Sequence, residues 1–124
     1  MIDARKRNIA VMVGVAAWFC AAMVVHFAPV MFDGGVRSGI MFALALPLGW
    51  VTMRLVEALT RPTPTELVAL LSWGTLTALV LDGVAITFVN GLYAGVSRAT
   101  QYGASWIMWG AGVGMAMPFF RRSV

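Results

Sequence analysis

Few residues in this chain could do chemistry, and one acid stands apart from the rest. Asp82 lies in an apolar stretch with no other charge beside it. A carboxylate in such surroundings is costly unless something pairs with it. The single histidine, His26, is the first partner to consider. At 1.5 Å per helical residue, Asp82 lies about 22 Å beyond Leu67 and His26 about 25 Å beyond Ile9. If both stretches are helices running the same way, the two groups reach a similar level. Thr75 shares the face of Asp82, Ser72 lies near it on the helical wheel, and Gln101, Tyr102, Ser105 and Trp106 enter at the same level from the last stretch. Together they make a candidate polar pocket. A neutral Asp82, or an Asp82–His26 pair, would avoid a bare charge there. Ser105, His26 and Asp82 are also the residue types of a nucleophilic triad, which is defined by geometry and not by sequence position.

A second cluster is Arg54, Glu57 and Arg61. Steps of three and four put them on one helical face. They read as an interfacial ladder, or as a site for lipid phosphate or a partner's acidic segment. The one cysteine, Cys20, excludes an intramolecular disulfide and reads as a small buried apolar residue. One histidine excludes bis-His haem within one chain, and a His26/Met pair is a conceivable ligation. No glycine-rich phosphate loop, zinc spacing or strand-to-helix serine elbow is present. The expectation is a non-enzymatic protein with no metal and no cofactor.

These residues are carried by an unusual chain. Of 124 residues, 60% are apolar and 11% charged, with a mean hydropathy of +0.85. Soluble domains carry about 45–50% apolar and about 25% charged residues, so a water-soluble globular domain is excluded. The net charge of +4 sits at the ends of apolar runs, which suits anionic headgroups and not nucleic acid. Four runs follow one another: Ile9 to Phe32, Arg37 to Thr60, Leu67 to Asn90 and Ala99 to Phe120. A membrane helix needs about 20 apolar residues. Membrane strands alternate in polarity, and these runs do not, so helices are predicted over about residues 8–32, 37–60, 64–91 and 99–120. Arg5, Lys6 and Arg7 resemble the head of a signal peptide, but the apolar run is too long and lacks a cleavage site, so the first helix is expected to stay.

The links are short. Asp33-Gly34-Gly35 is a turn signal. Thr63-Pro64-Thr65-Glu66 predicts a capping box with proline at the first helical position. The link from Gly91 to about Ser97 is expected to be the loosest. Short links predict that sequential helices are antiparallel neighbours. Arg5, Lys6, Arg7, Arg61, Arg121 and Arg122, with Arg54, gather on one side, and only Arg37 and Arg98 on the other. Both termini are therefore expected in the cytoplasm.

Contact faces should carry small residues. Ala10, Gly14, Ala17 and Ala21 mark one on the first helix, Gly74 and Ala78 on the third, and Gly103, Gly110 and Gly114 on the fourth. The last pair could serve a dimer or pack internally. Pro47 removes the bond to the Ala43 carbonyl and predicts a kink. Trp106, Tyr93, Tyr102, Phe119 and Phe120 fit an aromatic belt, while Trp18, Trp50 and Trp73 lie deeper.

The length is that of small multidrug-resistance transporters and dual-topology fluoride channels, but the first helix has no embedded glutamate and the charge bias points one way. The second half, from Leu81-Asp82-Gly83 through Asn90-Gly91 to Gly103-Ala104-Ser105-Trp106-Ile107-Met108-Trp109-Gly110, resembles small uncharacterised bacterial four-helix inner-membrane proteins. That resemblance covers roughly residues 70–120. It implies a four-helix bundle and brings no activity.

The expectation is one all-α membrane domain, an antiparallel four-transmembrane-helix bundle in the bacterial inner membrane. Its partners would be the lipid bilayer and either a second copy, making a homo-oligomer, or a larger membrane complex. Its role would be that of an accessory or structural subunit or a self-assembling scaffold, with a polar pocket in the outer half. The alternative is a small proton- or cation-linked carrier or channel using Asp82.

Overall fold

Asp3 starts the first helix earlier than the apolar run suggests. Its carboxylate accepts the Lys6 amide at 2.8 Å, so α1 spans Ala4–Phe27. It stops at Phe27, short of Phe32, because Pro29 has no N–H and disfavours helix in the residue before it; a 3-10 turn, Pro29–Met31, follows. Gly34 takes a left-handed φ of 79°, and its amide donates to Ser38 Oγ at 2.8 Å. That turn opens α2, Val36–Thr60, which runs through Pro47 as one helix. Arg61 closes it at φ 48°, its amide bonded to the Glu57 carbonyl. The predicted capping box is present: Thr63 Oγ1 accepts the Glu66 amide and Glu66 accepts the Thr63 amide, opening α3, Pro64–Phe88. A second 3-10 turn, Asn90–Leu92, leads to α4, Arg98–Arg122. The structure, a computed structural model, describes residues 2–122, with side chains as far as Phe119. The expectations for the Phe120, Arg121 and Arg122 side chains lie outside the described residues.

The link before α4 is not loose. Thr100 Oγ1 accepts the Ala94 amide and donates to the Gly95 carbonyl at 2.6 Å, while Ser97 Oγ donates to the Ala94 carbonyl. These bonds turn the link back over the bundle and bury Tyr93.

The helices pack by alternates more than by sequence neighbours. The broadest contacts join α1 to α3 and α2 to α4, with α3–α4 next and α1–α2 thin. Along α1 and α3 the contacts advance in step. Lys6 Nζ meets Glu66 at 3.0 Å, Gly14 lies on Gly74, and Trp18 bonds Tyr93 just beyond α3. Along α2 and α4, Trp106 Nε1 donates to the Met41 carbonyl at 2.7 Å, Trp109 Nε1 to the Phe42 carbonyl at 2.9 Å, and Gly49 faces Gly114 and Met117. Short links do not by themselves give broad contact, since α1–α2 and α2–α3 touch sparsely. Small residues let alternate helices approach along their length.

Two buried clusters result. Ala22, Val25, Phe32, Tyr93 and Trp106 belong to one, at the end of the first and third links. Ala10, Met53, Val56, Leu67 and Leu70 belong to the other, at the opposite end. Outside them the surface is apolar: Met12, Val51, Leu76 and Phe88 are each more than half exposed. Among the described residues α1, α2 and α3 are long and apolar enough to cross a membrane. The fourth predicted span, α4, is not one of them. Gln101, Tyr102, Ser105 and its glycines dilute its apolar residues.

Candidate functional site

Asp82 is buried at 5% exposure in the C-terminal half of α3. Its partner is Tyr93, whose hydroxyl donates to Asp82 Oδ1. The Tyr93 hydroxyl oxygen in turn accepts the indole N–H of Trp18 at 2.9 Å. A directed chain therefore runs from indole to phenol to carboxylate. Each bond uses a different lone pair or proton, so no link competes with another. Burial pushes the Tyr93 phenol well above its usual range and the bond to Asp82 pushes it further, so Tyr93 stays a donor at any physiological pH.

Two of the three members, Trp18 and Tyr93, were not part of the predicted site. The signal for them was the acid itself. A buried carboxylate with no cation on its own helix must find a neutral donor, and Tyr93 is the phenol that follows it on the adjoining link.

His26 reaches the same level as Asp82 but not Asp82 itself. Among the described residues the two form no ion pair. His26 is exposed, and its Nδ1 lies 3.0 Å from the Gly91 carbonyl and 2.9 Å from the Tyr93 carbonyl. Both neighbours are acceptors, so Nδ1 carries the proton. His26 thus pins the main chain of the residue whose hydroxyl holds Asp82.

The rest of the predicted pocket is dispersed. Trp106 bonds to α2. Ser105 Oγ returns to the Gln101 carbonyl at 3.1 Å, and Gln101 is exposed. The Tyr102 ring lies against Gly34, where a Cβ would come within 2.5 Å of it. Ser72 bonds back to the Val68 carbonyl. Thr75 faces a cavity instead. The triad residue types are therefore not assembled, because Ser105 and His26 each bond to main-chain carbonyls.

At the other end, Arg54 and Glu57 pair at 3.8 Å, and Arg61 acts through its backbone as the cap of α2. A shorter ion pair, 3.0 Å, is one that spacing did not suggest, Lys6 with Glu66 across α1 and α3. Arg7 lies over the Trp73 ring, 5.8 Å from its centroid.

The small-residue faces sit where α1, α3, α2 and α4 meet. Ala10 is buried and its carbonyl faces Gly74. Gly103 is closed by Val25, and Gly110 lies beside Ala45. The Gly114 Cα lies near Gly49 of α2, while a Cβ on Gly114 itself would meet nothing within 4 Å. Between the two clusters lies an apolar cavity of about 350 Å³, with Ala17, Ala21, Ala78 and Gly114 on its walls. Cys20, expected to be buried, is exposed at its edge.

Among the described residues no cluster of His, Cys, Asp or Glu could hold a metal ion. Comparison with family models, with curated proteins and with solved structures finds no match.

Proposed function

We propose that this chain is a four-span protein of a bacterial inner membrane that works by packing, as an accessory subunit of a larger membrane assembly or as a scaffold of its own copies. Its helices alternate in direction, so that α1 and α3 run outward and α2 and α4 return. Both termini lie in the cytoplasm with Arg5, Lys6, Arg7 and Arg61. The observation that carries the reading is the internal use of Asp82. The one acid in the apolar interior is held by Tyr93 and Trp18, which leaves the bundle an outer surface of side chains suited to lipid and to other helices.

Purification in a mild detergent tests this directly. A stoichiometric partner protein, or a discrete homo-oligomer by light scattering, is the expected result. A strictly monomeric chain with no partner at any detergent strength would overturn it.

One observation favours a second reading, a proton- or cation-linked carrier. Trp18, the first donor in the chain to Asp82, also lines the cavity, so the acid is two hydrogen bonds from an open space. Flux into liposomes that is abolished by Asp82→Asn would establish that reading in place of the first.

A further inference from the structure

We infer that the seam between α1 and α2 binds one anionic phospholipid, with an acyl chain in the central cavity and the phosphate at Arg5 and Asn8. This rests on the chain being a membrane protein and is independent of what it assembles with. The first observation is the cavity. Its volume of about 350 Å³ exceeds twice the roughly 150 Å³ of an apolar cavity that stays dry and takes up benzene. Water gains nothing there, and a hydrocarbon ligand fits.

The second observation is where it opens. Cys20 and Val24 on α1, with Leu48 and Val51 on α2, border the cavity and are also exposed. The mouth is therefore lateral, on the thin contact between α1 and α2. In a bilayer that opening meets lipid chains and nothing else.

The third observation is the recess at the cytoplasmic end of the same seam. Arg5, Asn8, Met12 and Leu59 line it, and Val13 belongs to both recess and cavity. The two spaces thus adjoin along one groove. The three consecutive basic residues divide their work here. Lys6 is held by Glu66 and Arg7 lies over Trp73, both towards α3. Arg5 turns to the recess, where an anionic headgroup above a buried chain would place its phosphate.

Native mass spectrometry of the full chain, purified in mild detergent and offered equal phosphatidylglycerol and phosphatidylethanolamine, tests the proposal. The wild type is expected to retain one phospholipid. Gly114 lines the cavity and a Cβ there meets nothing within 4 Å, so Gly114→Leu fills the space and abolishes retention. Gly112 has the same freedom but does not line the cavity, so Gly112→Leu retains lipid like the wild type. Ala17→Leu fills the cavity from the α1 wall and gives the same loss should Gly114→Leu fail to fold. Arg5→Gln should lower the preference for the anionic lipid roughly fivefold, the weight of one basic residue near a charged surface. Equal retention by wild type and both filled variants overturns the proposal, as does a wild type that retains no lipid or that closes the seam as a lipid-free dimer. Recovery of the wild type in the soluble fraction would overturn the membrane reading itself, a separate outcome.

Discussion

Replacing Tyr93 with phenylalanine removes one oxygen and strands two groups, the Asp82 carboxylate and the Trp18 N–H. A buried polar group left unmatched costs about 1–3 kcal/mol, so Tyr93→Phe should lose about 2–4 kcal/mol of stability. Asp82→Asn keeps an acceptor oxygen and should lose about 1 kcal/mol, the difference between a charged and a neutral acceptor. Asp82→Leu in the Tyr93→Phe background removes the acceptor together with its donor, and the double variant should be more stable than the sum of the two single losses by about 1–2 kcal/mol. Unfolding in mixed micelles measures the wild type, the single variants Tyr93→Phe, Asp82→Asn and Asp82→Leu, and the double variant. Strict additivity would mean that the bond carries no coupling. Spacing alone finds Asp82 and sets His26 at its level, and both groups do attach to the same residue, one to the Tyr93 hydroxyl and one to its carbonyl. What spacing leaves unread is that the link folds inward. That depends on Gly95 at positive φ and on the Thr100 and Ser97 bonds, and only the finished turn brings the phenol over the acid.

The helices differ in how closely they approach, and glycine decides where. A Cβ at Gly14 would lie 2.3 Å from the Gly74 carbonyl oxygen, with two further backbone atoms of Gly74 at 2.9 Å. Backbone cannot rotate aside as a side chain can, so Gly14→Ala must push α1 from α3 and stretch the Lys6–Glu66 pair. Overpacking of this kind costs about 1–3 kcal/mol. Gly103→Ala meets the Val25 methyls at 2.6 and 2.7 Å, which a change of rotamer can relieve in part, so its loss should be smaller. Gly112→Ala meets nothing and should gain up to about 1 kcal/mol from helix propensity. Thermal unfolding in detergent ranks the three, and a Gly14→Ala protein as stable as wild type would mean that α1 and α3 do not cross there. The local signals at this scale read true. Thr63 and Glu66 cap α3 because the four residues of a capping box carry all that it needs, and Gly34 makes its turn for the same reason. The pairing of α1 with α3 is a choice among competing small-residue faces, and no single segment holds that information.

At the scale of the whole chain the charges are sorted by the bundle and not only by the sequence. Lys6 and Glu66 set the start of α1 beside the start of α3. Ala10, Leu67, Met53 and Val56 share one buried cluster, which brings the end of α2 to the same place. Arg5, Lys6, Arg7 and Arg61 therefore gather at one end, while Arg37 and Arg98 begin α2 and α4 at the other, beside the Phe32–Trp106 contact. Lys and Arg near helix ends hold the cytoplasmic side during insertion, so the first end should face inward. A reporter enzyme that is active only outside the cytoplasm should give signal when fused after Gly34 or Gly91, and none when fused after Thr63 or at the C-terminus. The opposite pattern would invert the topology. Equal signal from all four sites would mean that both orientations are made. The same fusions test α4, the helix whose composition is weakest for a span. A signal from the C-terminal fusion equal to that after Gly91 would leave α4 on the outer side, and its two indole bonds to α2 would then have to form outside the hydrocarbon. Those bonds reach the Met41 and Phe42 carbonyls in the second turn of α2, and the contact continues to Gly49 with Gly114 and Met117, so a crossing α4 is the arrangement that keeps them and the signal should be lost.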